Sequence, residues 1–161
     1  MMGQGQENLA APCGLYCGAC TIYRTDKGGD SKRFEQIAAV LTQHLGKAIE
    51  AKDLACEGCL SETVAIQCRD CHIRACAIEK GGSYCSKCSA FPCQQITDFN
   101  NDGMLHHSEV LENIKRQRDI GIDVWAKEQA ERWRCPKCFC ALHTYSHECP
   151  DCGIAIESKW H

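Results

Sequence analysis

Apolar residues recur at helical spacing in two stretches of the chain. Phe34, Ile37, Val40, Leu41 and Leu45 fall on one stripe. Ser31 stands ahead of it as an N-cap, Glu35 lies in the early turns where the helix dipole favours it, and Gly46 follows as a stop. The pattern predicts an amphipathic, core-packing helix of about four turns. A second stripe of Val110, Leu111 and Ile114 breaks at Gly121 and resumes with Ile122, Trp125, Ala126, Gln129 and Trp133. That break predicts two helices joined at a glycine, with Asp123 as candidate cap. Between the stripes lie eight cysteines at positions 56 to 93. No ordinary helix fits among them, so this block reads as knuckles, turns and short hairpins around metal, with LSETVAIQ as one short strand.

Composition makes that metal reading necessary. The chain has 161 residues, 44% of them hydrophobic, but 16 of these are cysteines and aromatics are only 7%. Without the cysteines the apolar share is about a third, a thin core that needs cross-links or metals. The opening MMGQGQENLA carries no Lys or Arg and no apolar run of signal-peptide length, and no segment approaches the ~20 apolar residues of a membrane span. A cytoplasmic location is therefore expected, where thiols stay reduced and dense cysteines mean metal thiolates rather than disulfides. The spacing agrees: Cys17/Cys20, Cys56/Cys59, Cys68/Cys71, Cys85/Cys88, Cys135/Cys138 and Cys149/Cys152 are all C-x2-C pairs. The formal charge is −3, and each zinc held by four thiolates would add about −2. This is no basic footprint, and it argues against general nucleic-acid binding.

The C-terminal CPKC and CPDCG knuckles bring Cys135, Cys138, Cys149 and Cys152 into zinc-ribbon spacing, with ALHTYSHE between them as two short strands and Cys140 as a spare thiol. Rubredoxin-type iron uses the same knuckles. Upstream, Cys56, Cys59, Cys68 and Cys71 can form one tetrad and Cys76, Cys85, Cys88 and Cys93 another, although an interleaved partition fits the spacing equally. Cys13, Cys17 and Cys20 remain, in the arrangement C-x3-C-x2-C. Radical-SAM enzymes hold an open [4Fe–4S] cluster by that spacing, but they need a partial β/α barrel for which this chain has no room. Two four-cysteine sites use eight of the eleven upstream thiols, so either three thiols are free, or a third centre is completed by a distant residue, a fourth cysteine or a histidine such as His72, or that centre is open.

Residues 98–109 match a calcium-loop pattern at Asp98, Asn100, Asp102, Gly103, Leu105 and Glu109. Pro92 and Cys93 leave little space for an entering helix and no paired loop exists, so a polar loop capping the next helix is preferred over calcium. His106 and His107 begin the helix that follows; such a pair can bind metal or serve as acid–base groups, but adjacent positions point in different directions, so one is read as a surface residue and the other as a cap or a partner behind a ligand. No Ser-His-Asp order, phosphate-binding glycine loop or dinucleotide fingerprint is present. Arg132, Arg134 and Lys137 form a local basic patch read as a solvated face.

Taken together, APCGLYCGACTIYR, the cysteine block ending in FPC, and NNDGMLHHSEVLENIKRQRDIGIDVWAKEQAERWRCPKC resemble a family of small cysteine-rich bacterial and archaeal proteins classed as a domain of unknown function. The resemblance runs from Pro12 to about Gly153 and implies a metal-rich architecture without supplying a reaction. The expected fold is α+β: a metal-stabilised cysteine-rich domain with helices and short hairpins over 1–133, and a zinc ribbon over 134–161. The expected cofactors are about two to four zinc ions, and the expected role is an accessory or regulatory module that binds another protein. The rivals are an iron–sulfur redox protein using Cys13, Cys17 and Cys20, and a metal-dependent enzyme with an open site.

Overall fold

A computed structural model describes residues 9–157 and 159; residues 1–8, 158, 160 and 161 of the two expected segments lie outside it. The described residues are mostly helical: α1 Thr21–Gly28, α2 Ser31–Leu45, α3 Ile66–Arg69, α4 His72–Glu79, α5 Gln94–Asn100, α6 Val110–Ile120 and α7 Ile122–Arg132. Short 3₁₀ turns at Cys17–Ala19, Ala51–Leu54, Cys85–Lys87 and Leu105–Glu109 link them.

The three striped helices α2, α6 and α7 form where the periodicity places them. Asp30, one residue ahead of the expected cap, accepts from the Arg33 N–H at 2.9 Å, and Gly46 ends α2 in the left-handed region. Gly121 separates α6 from α7 at φ 87°, a backbone that L side chains rarely adopt. Asp123 lies in the first turn of α7 and is not its cap, a position that Gly121 holds.

Among the described residues no strand occurs, only the isolated antiparallel bridges Ala10–Tyr16, Arg134–Ala141 and Glu148–Ala155. The α+β expectation is corrected to a mostly helical fold, and the hairpins and ribbon sheet are absent from the described residues. The cause lies in where the backbone donors go. In ALHTYSHE, His143 N–H donates to Ser146 Oγ at 3.1 Å and Ser146 N–H returns to His143 O at 3.0 Å, which makes a turn. Thr144 N–H leaves the segment altogether to reach Ala19 O at 2.8 Å. In LSETVAIQ, Ser61 closes a turn on Gly58 O and Thr63 O, and Ile66 already starts α3. The stretch after Cys71 becomes α4 because alanines at 75 and 77 favour helix and the thiols at Cys71 and Cys76 tolerate it.

The core is divided. Trp125, fully buried, meets Tyr16 edge to face with ring centroids 6.3 Å apart, alongside Ala10, Ala19, Ile122, Ala126 and Trp133. Ala11, Cys13, Ile73, Ile96, Val110 and Ile114 make a second cluster, so the first residues of the opening cysteine motif are packed against α4, α5 and α6. α2 covers a third cluster of Ala38, Ile49 and Leu54, and the C-terminal segment has its own around Cys135, Leu142 and Cys149. No helix among the described residues is long and apolar enough to cross a membrane.

Candidate metal centres

The C-terminal group is the most compact. Cys135, Cys138, Cys149 and Cys152 place their sulfurs within 4.8 Å of one another, with Cys135–Cys152 at 3.6 Å and Cys138–Cys149 at 3.5 Å. Tetrahedral zinc with Zn–S bonds of about 2.3 Å needs sulfurs about 3.8 Å apart, so this group can hold a metal ion. Each knuckle turns its backbone towards sulfur: Lys137 N–H donates to Cys135 Sγ at 3.4 Å and Cys152 N–H to Cys149 Sγ at 3.5 Å. Burial pushes the Cys149 thiol up, but the N–H groups of Cys152 and Asp151 and the thiols of Cys140 and Cys138 outweigh it and hold it down to about 6. Cys140, read as a spare, stands 3.3 Å from Cys149 Sγ and groups with Cys138 and Asp151. It is a fifth thiol at the edge of the site.

The eleven upstream cysteines behave differently. Cys13, Cys17, Cys20, Cys56, Cys59, Cys68 and Cys71 line one cavity of about 470 Å³. Cys76, Cys85, Cys88 and Cys93 line another of about 270 Å³. The opening triplet therefore shares its cavity with the CEGC and CRDC pairs, and the second proposed tetrad stands apart from it. Among the described residues, none of these eleven thiols belongs to a group of three metal-ligating atoms within 4.8 Å of one another.

Local structure explains how the cavity is assembled. Cys20, Cys71 and Cys93 occupy the N-cap positions of α1, α4 and α5, so helix starts deliver three of these thiols. Burial pushes the Cys13 and Cys17 thiols well above their usual range, and neighbouring thiols, Cys59 foremost, add to the shift. Cys59 is pushed up to about 11 and Cys68 to about 12, again chiefly by burial. Thiols so reluctant to ionise alone need a cation beside them to become thiolates. Arginines pin the loops that carry them: Arg74 donates to Cys59 O at 2.7 Å and Ser61 O at 3.1 Å, while Arg24 donates to Gly18 O. At the smaller cavity Arg118 donates to Ser86 O and Cys88 O, and Lys80 Nζ lies 3.4 Å from Cys88 Sγ.

The larger cavity is also lined by Phe99, Met104, His106, His107, Glu109 and Tyr145. His106 Nδ1 meets the Tyr145 hydroxyl at 2.6 Å, and His107 Nδ1 meets Asp102 Oδ2 at 2.7 Å. Both histidines thus line the same cavity as the seven cysteines. Tyr145, which sequence reasoning missed, gave no signal because it lies in the segment read as a ribbon strand. His72, offered as a completing ligand, is the first residue of α4 and is not among the residues lining either cavity. The calcium pattern is dispersed: Asp98 and Asn100 lie within α5, Asn100 Oδ1 accepts from Leu111 N–H, and Glu109 is held by Arg132 at 2.8 and 2.6 Å.

Taken together, a helical scaffold with a convergent four-cysteine group and two further cysteine-lined cavities defines a cysteine-rich protein with a possible metal site. Residues 9–98 match the family described as "Protein of unknown function (DUF3795)", and the chain belongs to that family. No curated protein and no solved structure matches the chain.

Proposed function

We propose that the chain is an iron–sulfur protein, with zinc confined to the Cys135, Cys138, Cys149 and Cys152 group as a structural ion. The observation that carries this reading is the contrast in spacing within one molecule. Four C-terminal thiols converge to the separation that one tetrahedral ion demands, whereas seven upstream thiols surround a cavity of about 470 Å³ without any three converging. A cluster spreads its thiolates, because iron and bridging sulfide stand between them. The cavity is also lined by Tyr16, Val64, Phe99 and Trp133, and low solvent exposure of this kind tunes a cluster's reduction potential. In this reading the protein is an accessory redox module that exchanges electrons with another protein, and zinc at its C-terminus supplies folding free energy.

The second reading keeps zinc throughout. It is favoured by the smaller cavity, whose lining holds four cysteines, Cys76, Cys85, Cys88 and Cys93, the number that a closed zinc site takes. Visible absorption of anaerobically purified protein distinguishes the two. A brown protein that bleaches with dithionite supports the cluster. A colourless protein carrying about two to four zinc ions removes it.

A further inference from the structure

Seven thiols are one short of two four-ligand centres. Resting on the iron–sulfur reading above, we propose that His107 supplies the eighth ligand, through Nε2. Besides the seven thiols, the lining of the cavity offers His106, His107 and Glu109 as further donors. Glu109 is committed, since both its carboxylate oxygens accept from Arg132.

The hydrogen bonds separate the two histidines. The Asp102 carboxylate accepts and does not donate, so its 2.7 Å contact fixes the proton of His107 on Nδ1 and leaves the lone pair on Nε2. A carboxylate behind an imidazole is the arrangement that sets the tautomer and ring orientation of a metal-bound histidine. Asp102 is itself held, its other oxygen accepting from Met104 N–H at 2.9 Å. The Phe99 ring lies against His107 with centroids 3.9 Å apart and restrains its rotation. His106 has no such bias: its partner is the Tyr145 hydroxyl, which donates or accepts equally well.

Imidazole in place of a thiolate removes one negative charge from the centre and raises its reduction potential. The Asp102–His107 pair would then make this centre the more easily reduced of the two. A protein with two centres of unequal potential in one cavity has a built-in direction for electron movement.

The test uses the full chain, purified anaerobically and reduced with dithionite, with His107→Ala, His107→Cys and His106→Ala beside the parent. Pulsed EPR reads nitrogen bound directly to the reduced cluster, and iron and sulfide are assayed on each sample. The expected result is a strong nitrogen coupling in the parent, retained in His106→Ala and lost in His107→Ala. His107→Cys should keep the parent's iron content, lose the coupling and shift the midpoint potential downward, a shift that a merely packing role for His107 would not give. Iron and sulfide without nitrogen coupling in the parent overturns the assignment and leaves the iron–sulfur reading intact. Coupling lost in His106→Ala and kept in His107→Ala overturns it as well. Absence of iron and sulfide from the parent overturns both.

Discussion

A Cβ placed on Gly14 would lie 2.8 Å from Ile114 Cγ1 and 3.0 Å from Val110 O, on a backbone with φ +84°. Asn113 Nδ2 also donates to Gly14 O at 3.0 Å, so α6 presses on the motif from side chain and backbone together. Neither contact can give freely, because Ile114 and Val110 are fully buried. Gly14→Ala should therefore destabilise the protein by about 1–3 kcal/mol through overpacking and left-handed strain, read as a lower denaturant midpoint with unchanged slope. Gly121→Ala has the same sign of φ but open space around it and should cost less. A second residue-scale effect belongs to His143, whose Nε2 accepts from Arg33 Nη2 at 2.8 Å. Burial and then the Arg33 cation hold its imidazole down to about 4, against an ordinary value of 6.5. As pH falls from 6.5 towards 4, the unfolded chain takes up a proton that the folded chain refuses. Stability contributed by neutral His143 is thus complete above that window, falls across it and levels off below. His143→Gln should show a shallower loss of melting temperature between those limits than the parent, and parallel curves would contradict the assignment.

At the scale of elements, the C-terminal knuckles carry their own small core, Cys135, Leu142 and Cys149, separate from the three clusters upstream. Cys135→Ser or Cys149→Ser should release the ion from that group and expose the segment after Trp133 to protease, while the helices up to α7 persist by circular dichroism. Collapse of the whole chain would show that the links from Thr144 to Ala19 and from His143 to Arg33 bind the parts into one cooperative unit. Trp125→Ala, by contrast, removes the largest fully buried side chain and should cost about 3–5 kcal/mol. Helices α2, α6 and α7 were legible from periodicity, because each packs one apolar stripe and a glycine marks a boundary of each, Gly46 after α2 and Gly121 between α6 and α7. The helix at His72–Glu79 was not, because cysteine density hid its alanines. The ribbon strands failed for a non-local reason: Thr144 N–H is used by Ala19, and nothing in ALHTYSHE announces that partner. The convergence of the last four ligand cysteines was written in their spacing. The gathering of the opening triplet with CEGC and CRDC was not, since it depends on how α1, α3 and α4 pack.

For the whole molecule, the uneven treatment of its thiols decides the chemistry. Sixteen cysteines without a disulfide divide into a tight C-terminal group with Cys140 at its edge, a separate set of four, and seven around the cavity of about 470 Å³. The Arg24, Arg74 and Arg118 contacts to cysteine-loop carbonyls place permanent cations near the thiols, partly offsetting the negative charge that thiolate centres add to a chain already at −3. The direct measurement is iron, zinc and acid-labile sulfide per chain in protein purified without oxygen. Iron with a matching amount of sulfide, together with a single zinc lost in Cys149→Ser, is the expected result. Zinc alone, with no sulfide, would contradict an iron–sulfur centre in the seven-thiol cavity.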